Sequence, residues 1–162
     1  MTDIAPLRDF IRAMTQLAEE GAGETRWLTE GAALLRRLVA DDAWLPDAFA
    51  EPGPRSRQYL LHCDPLERFS VVSFVWGPGQ RTPIHNHTVW GLVGMLRGEE
   101  VSTEMIAGAP MRPGRVDRLK RGEVVAVGAD TYDIHVVENA LPDRASISIH
   151  VYGGKIGAVI RT

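Results

Sequence analysis

The segment Pro-Ile-His-Asn-His-Thr at residues 83–88 is the most informative part of the 162-residue sequence. Alternate residues of an extended strand project from the same face, so His85 and His87 would lie side by side with Asn86 directed away. Two imidazoles placed in this way can both bind the same metal ion. The alternative is a chance pair on a solvated face, because the chain contains five histidines.

Two glycines and a third histidine stand at set distances from this pair. Gly79 lies six positions before its first histidine, Gly98 lies eleven positions after its second, and His135 is followed four residues later by an asparagine. This pattern resembles the two-part motif of the cupin superfamily, in which Gly, five residues, His-x-His and a final Gly are followed by His-x-x-x-Asn. The resemblance implies a mainly β fold, a jelly-roll barrel of the double-stranded β-helix type, that holds a metal.

The remaining sequence also predicts a mainly β protein with N-terminal helices. In residues 1–45, apolar side chains recur at helical spacing in two stretches, which predicts a helical segment packed on the barrel. From residue 58 onward, runs rich in Val, Ile, Phe, Trp and Thr alternate with turn residues. The predicted strands are 58–62, 69–76, 88–97, 99–107, 116–119, 123–127, 134–138, 145–151 and 156–161. We expect one domain over residues 1–162, with the barrel at 58–161.

Composition excludes several classes of protein. The chain is 44% hydrophobic and 24% charged with a net charge of -3, which excludes both a disordered tail and a strongly basic nucleic-acid binder. No apolar run is long enough to span a bilayer, and the N-terminus lacks the apolar core of a secretory signal. The single cysteine fits a reducing compartment. We therefore expect a cytoplasmic protein with no nucleic-acid or membrane partner.

The expected metal site contains no carboxylate. Many cupins place a glutamate ligand shortly after the His-x-His pair, but residues 88–91 here read Thr-Val-Trp-Gly. Three neutral imidazoles, from His85, His87 and His135, leave the charge of a divalent ion uncompensated and favour an anionic ligand such as a thiolate. Iron(II) suits thiolate donation and oxygen activation, but zinc also accepts three histidines in enzymes that activate water. Spacing alone leaves the metal open.

A second polar set occupies alternate positions of a predicted strand. Ser148, His150 and Tyr152 would share one face and form a hydrogen-bonded chain, with Ile149 and Val151 on the other face. The alternative is the solvated side of an edge strand. Because the set occurs together with three candidate metal ligands, we favour a chain that points inward.

The combination resembles the cysteine dioxygenase family of thiol dioxygenases over about residues 58–161. In that family three histidines in this pattern bind Fe(II), and a Ser-x-His-x-Tyr strand begins thirteen positions after the third histidine, as Ser148 follows His135 here. The resemblance implies an enzyme that adds both atoms of O2 to the sulfur of a small thiol and forms a sulfinate. His150 and Ser148 would then orient Tyr152 beside the substrate.

Departures from the mammalian-type members indicate a bacterial branch. Gly91 stands where those enzymes carry the cysteine that is crosslinked to the tyrosine, and Cys63 lies elsewhere in the sequence. Gln58 replaces an arginine that pairs with the substrate carboxylate in cysteine-specific members, as it does in members similar to 3-mercaptopropionate dioxygenase. In that branch a late arginine, corresponding to Arg161, anchors the carboxylate instead. His62 is a lesser pocket candidate because it would share the face of Gln58.

These features predict a thiol dioxygenase whose substrate is 3-mercaptopropionate, L-cysteine or a similar thiol carboxylate. Two other functions remain open at this point. One is a different metal-dependent cupin enzyme that acts on a carbon substrate. The other is a non-catalytic cupin that binds a small anion in the same barrel.

Overall fold

The computed structural model describes residues 1–129 and 134–154 of the chain. Its helical elements are α1 (Ala5–Glu19), α2 (Glu24–Arg26), a π-helical turn (Trp27–Gly31), α3 (Ala32–Val39) and a 3-10 turn (Asp47–Phe49). Its strands are β1 (Arg57–Cys63), β2 (Ser70–Trp76), β3 (Gly91–Arg97), β4 (Glu99–Ile106), β5 (Arg112–Lys120), β6 (Val124–Val127), β7 (His135–Asn139) and β8 (Ser146–Tyr152). The predicted strand at 156–161 lies outside the described residues.

The strands form two antiparallel sheets. One sheet has five strands in the order β1-β2-β8-β3-β6, and the other has three in the order β5-β4-β7. Strands β2 and β8 are both buried along their whole length. Helices cover one face of the larger sheet, and the other face lines the barrel interior. The prediction of a mainly β barrel with N-terminal helices is confirmed.

Alternation along the central strands separates the helix-covered face from the barrel interior. On the outer face, apolar residues of the sheet form one core with apolar residues of α1 and α3. This core includes Leu7, Phe10, Met14, Leu35, Val39, Val71, Val75, Leu92, Ile149 and Val151. A smaller cluster on the inner face contains Val72, Phe74, Trp76 and Tyr152. The polar residues of β8 therefore face the interior, while Ile149 and Val151 pack against the helices.

Helix α3 packs against β3 at Gly94, where the strand has no side chain. A Cβ atom at Gly94 would lie 2.8 Å from Cγ1 of Val39 and 2.9 Å from Cγ of Leu35, which are closer than real carbon contacts. Val39 and Leu35 are both completely buried. The absence of a side chain at Gly94 thus lets α3 pack directly on the strand that leads out of the histidine segment.

The asparagine of the second motif, Asn139, has a structural role. Its amide nitrogen donates to the carbonyl oxygens of Trp76 and Arg144 at 3.0 and 2.9 Å, and its amide oxygen accepts from the Leu141 N–H at 2.9 Å. The Ser146 hydroxyl donates to the same oxygen at 2.7 Å. Asn139 therefore fixes the turn between β7 and β8, the two strands that carry the third histidine and the Ser-x-His-x-Tyr set.

In the described ranges, no helix is both long enough and apolar enough to cross a membrane.

Candidate metal centre

The histidine segment lies just before β3 and is held against the start of β7. His85 and His135 face each other in an isolated antiparallel bridge. The His85 N–H donates to the His135 carbonyl at 3.1 Å, and the His135 N–H donates to the His85 carbonyl at 2.9 Å. Two residues that are fifty positions apart are thereby fixed side by side.

The bridge brings three imidazoles together, as the sequence predicted. Among the described residues, His85, His87 and His135 form a group whose ligand nitrogens all lie within 4.8 Å of one another. The Nε2 atoms of His85 and His135 are 3.1 Å apart. Metal–nitrogen bonds of about 2.1 Å at right angles would separate adjacent nitrogens by about 3.0 Å. The three side chains therefore fit a divalent transition metal with open coordination positions.

The Pro83 carbonyl fixes the ring orientation of His85. Nδ1 of His85 lies 2.9 Å from this oxygen. A carbonyl only accepts hydrogen bonds, so Nδ1 carries the proton and Nε2 is left with its lone pair directed at the other two imidazoles. This tautomer allows His85 to bind a metal ion through Nε2.

The Ser148, His150 and Tyr152 side chains form a buried hydrogen-bonded chain on β8. The Ser148 hydroxyl lies 2.8 Å from Nε2 of His150, and Nδ1 of His150 lies 2.7 Å from the Tyr152 hydroxyl. The three residues are 0%, 6% and 2% exposed, which rules out the solvated alternative. The Tyr152 ring stacks on His87 with centroids 5.6 Å apart. The chain thus ends beside the histidine group.

Both sets open into one cavity of about 700 Å³ between the two sheets. Its polar lining includes Gln58, His85, His87, Glu100, Ser102, His135, His150 and Tyr152. Apolar side chains such as Phe74, Trp76, Val93 and Val137 complete the wall. A cavity of this size, mostly apolar with converging polar groups, suits a small molecule rather than a macromolecule.

Glu100 is a site residue that was not predicted from the sequence. It is only 4% exposed and lines the cavity, although it is not part of the metal-binding group. Burial raises the pKa of Glu100 to about 7, and hydrogen bonding from Ser148 and Trp76 and the charge of His135 oppose this increase. Strand alternation in β4 places Glu100 and Ser102 on the face opposite to Val101, but the sequence does not indicate which of the two faces lines the cavity.

The predicted substrate residues have different outcomes. Gln58 lies opposite Phe74 and lines the cavity, as expected from its place on β1. The prediction for His62 is wrong: a bulge between Leu60 and His62 shifts the register, so His62 pairs with Val71. Its ring packs on the buried Phe69 with centroids 5.5 Å apart, away from the face of Gln58. Arg161 lies outside the described residues.

Gly91 lies directly against the Tyr152 ring. A Cβ atom at Gly91 would be 3.4 Å from two ring carbons of Tyr152. The position aligned with the crosslinking cysteine is therefore adjacent to the tyrosine, but glycine offers no sulfur there. Cys63 is on β1, with its thiol directed at the Asp64 carbonyl.

Comparison with known protein families gives a match to the model described as cysteine dioxygenase type I. The match covers residues 57–159, which is more than half of the chain. It includes all three histidines of the metal-binding group and the Ser-x-His-x-Tyr strand.

Solved structures with the same fold are distant in sequence. A double-stranded β-helix protein from Klebsiella pneumoniae is 19% identical, with 72% of this chain and 90% of that chain covered and a TM-score of 0.56. A cupin-like protein from Thermotoga maritima is 21% identical, with 69% and 84% covered and a TM-score of 0.52. Oxalate decarboxylase from Lactobacillus farciminis is 14% identical, with 69% and 32% covered and a TM-score of 0.52. These similarities show the cupin fold.

Proposed function

The chain belongs to the cysteine dioxygenase type I family, and from this premise we propose that it is an iron(II)-dependent thiol dioxygenase. Its substrate would be a small thiol carboxylate, 3-mercaptopropionate or L-cysteine, and its product the sulfinate. The observation that carries this proposal is the Tyr152 hydroxyl at the end of a buried hydrogen-bonded chain, beside three converging imidazoles.

His85, His87 and His135 would hold the iron as neutral ligands. Bound iron(II) would supply the redox chemistry that couples oxidation of the thiol to reduction of O2. Both oxygen atoms enter the product and the sulfur supplies all the electrons, so no external reductant is needed. Because the ligand set has no negative charge, it favours a substrate that brings its own anionic sulfur.

The residues of this chain would bind the substrate and control one proton. Ser148 and His150 hold the Tyr152 hydroxyl at a fixed position beside the histidine group. Gln58, on the cavity wall, would hydrogen-bond the substrate carboxylate without the charge-assisted contact that an arginine gives. Arg161 is proposed as the charged anchor of the carboxylate. Glutamine is also the residue that members similar to 3-mercaptopropionate dioxygenase carry at the position of Gln58, which favours 3-mercaptopropionate as the substrate.

Oxygen consumption by the iron-loaded protein tests this function. We expect uptake of O2 on addition of 3-mercaptopropionate, with one sulfinate formed per O2, and slower uptake with cysteine or cysteamine. The measurement pairs an oxygen electrode with mass spectrometry of the product. His135→Ala should lose both bound iron and activity, whereas His62→Ala, which removes a histidine outside the cavity, should keep both.

Three results would contradict the proposal. Stoichiometric iron in the His135→Ala protein would remove the ligand assignment. Zinc, rather than iron, in protein isolated without added metal, together with no O2 uptake on any of the three thiols, would favour a different metal-dependent enzyme. Tight binding of the thiol carboxylate without any O2 uptake by the iron-loaded protein would favour a non-catalytic anion binder.

A further inference from the structure

The smaller sheet exposes apolar residues on its outer face, whereas helices cover the outer face of the larger sheet. Strand alternation identifies this outer face: His135 and Val137 line the cavity, so Val136 and Glu138 point away from it. One face of an antiparallel sheet can be exposed to water, and polar residues are then expected on that face. Apolar residues there indicate a surface that another molecule covers.

An apolar row crosses the three strands of this face. Val136 of β7 and Val116 of β5 lie opposite Thr103 of β4, one on each side. Val116 is 58% exposed. Val136 and Thr103 also line a surface cleft of about 460 Å³, together with Met105 and the exposed Ile84. The row and the cleft therefore share side chains and form one apolar surface.

The neighbouring row on the same face carries opposite charges at its two ends. Val101 of β4 lies opposite Glu138 of β7 on one side and Arg118 of β5 on the other. The Arg118 side chain is exposed and lies on this face, where it pairs with Glu99 at 2.8 Å. The Glu138 side chain is also exposed. Because the row is acidic at one end and basic at the other, a reversed copy of it presents the opposite charge at each end.

Self-complementarity of this kind is what a two-fold dimer requires, since the same surface of both subunits meets at its interface. A two-fold axis along β4 would place Glu138 against Arg118 of the second copy, and Arg118 against its Glu138. The same rotation would place Val136 against the second copy's Val116. Each β4 would then face its own copy, in the aligned arrangement that two sheets adopt when they pack face to face. A partner of a single charge would match only one end of the row, whereas a second copy of this chain matches both.

We propose that the chain forms a homodimer through the outer face of the smaller sheet, with the Val136–Thr103–Val116 row and the Glu138–Val101–Arg118 row at the interface. The second copy covers the outside of β7, whose first residue, His135, belongs to the metal-binding group. The interface does not depend on which reaction the cavity supports.

Sedimentation velocity of the full-length protein over a concentration series tests the dimer. Wild type should sediment with twice the mass of one chain. Val116→Glu should raise the dissociation constant of the dimer by about tenfold or more, because it places a carboxylate in the buried apolar row. Leu66→Glu is the matched control: it replaces an exposed leucine in the turn between β1 and β2, and it should leave the dissociation constant unchanged.

Charge reversal distinguishes this interface from any other. Glu138→Arg and Arg118→Glu each place like charges opposite one another in the dimer, so each variant alone should dimerise about tenfold more weakly than wild type. An equimolar mixture of the two variants should form a heterodimer, since every contact then joins opposite charges. Arg12→Glu reverses a charge on an exposed residue of α1 and should leave the dimer unchanged.

Three results would overturn the proposal. A wild-type protein that stays monomeric at every concentration leaves this face to a different partner. A dimer that Val116→Glu does not weaken must form through another surface. A mixture of Glu138→Arg and Arg118→Glu that stays as dissociated as either variant alone excludes the paired charges. Because these substitutions replace exposed side chains, circular dichroism should show each variant folded like wild type, and none of the three results involves thiol oxidation.

Discussion

At the scale of single residues, Tyr152 connects the two polar systems of the cavity. Its ring stacks on His87 of the histidine group, while its hydroxyl ends the buried chain from Ser148. The nitrogens of His85, His87 and His135 already converge within 4.8 Å of one another without any contribution from the phenol. Tyr152 is therefore placed to act on a bound substrate without being needed to hold the metal.

Tyr152→Phe should keep iron bound but slow thiol oxidation by roughly 10²-fold, or let O2 uptake exceed sulfinate formation, because the phenol proton is lost. Iron per chain, O2 uptake and sulfinate yield are measured on the same sample. Tyr59→Phe is the matched control, since the Tyr59 hydroxyl donates to the Glu51 carbonyl at 2.7 Å outside the cavity lining. Unchanged turnover and unchanged coupling in Tyr152→Phe would remove the tyrosine from the mechanism.

At the scale of elements, α3 packs on β3 at Gly94, and a substitution there tests how much this close contact stabilises the fold. Gly94→Ala should lower the free energy of unfolding by about 1–3 kcal/mol, because the new methyl group would overlap the buried Val39 and Leu35 side chains. Urea unfolding should show a lower midpoint with an unchanged m value. Gly23→Ala, which meets no atom within 4 Å, is the control. Wild-type stability in Gly94→Ala would mean that the helix adjusts freely.

The pattern of apolar and polar residues predicted most of the strands, because it reflects whether one face or both faces of a strand are buried. β2 and β8, buried throughout, were located from the sequence within a residue at either end. The face of Ser148, His150 and Tyr152 followed from the same alternation. His62 was misplaced because a bulge adds a residue and inverts the alternation beyond it, and no residue type in β1 marks that bulge. Glu100 was missed because a polar strand face is expected to contact water, but this face of β4 lines the cavity.

At the scale of the whole molecule, the larger sheet performs two tasks on its opposite faces. Its outer face forms a continuous apolar core with the N-terminal helices, while its inner face carries the hydrogen-bonded chain. The smaller sheet contributes His135 and Glu100 from adjacent strands. The cavity is thus built by bringing together polar groups from both sheets, and burial of an acid is one cost of that construction.

Glu100 should make the stability of the metal-free protein depend on pH in a defined window. The carboxyl group ionises near 4.5 when unfolded, but burial raises its pKa to about 7 in the folded state, against opposing effects from Ser148, Trp76 and the charge of His135. Between these values the folded chain binds more protons than the unfolded chain, so its free energy of unfolding should fall as pH rises, by up to about 3 kcal/mol in total.

Glu100→Gln keeps the size of the side chain and removes the titration, so its stability relative to wild type should increase from pH 4.5 to 7 and then level off. Urea unfolding of metal-free protein across this range measures the difference, and Glu99→Gln serves as the control for loss of a surface charge. A constant difference between Glu100→Gln and wild type over the window would mean that Glu100 ionises in the folded protein as it does in water, and that the buried position does not perturb it.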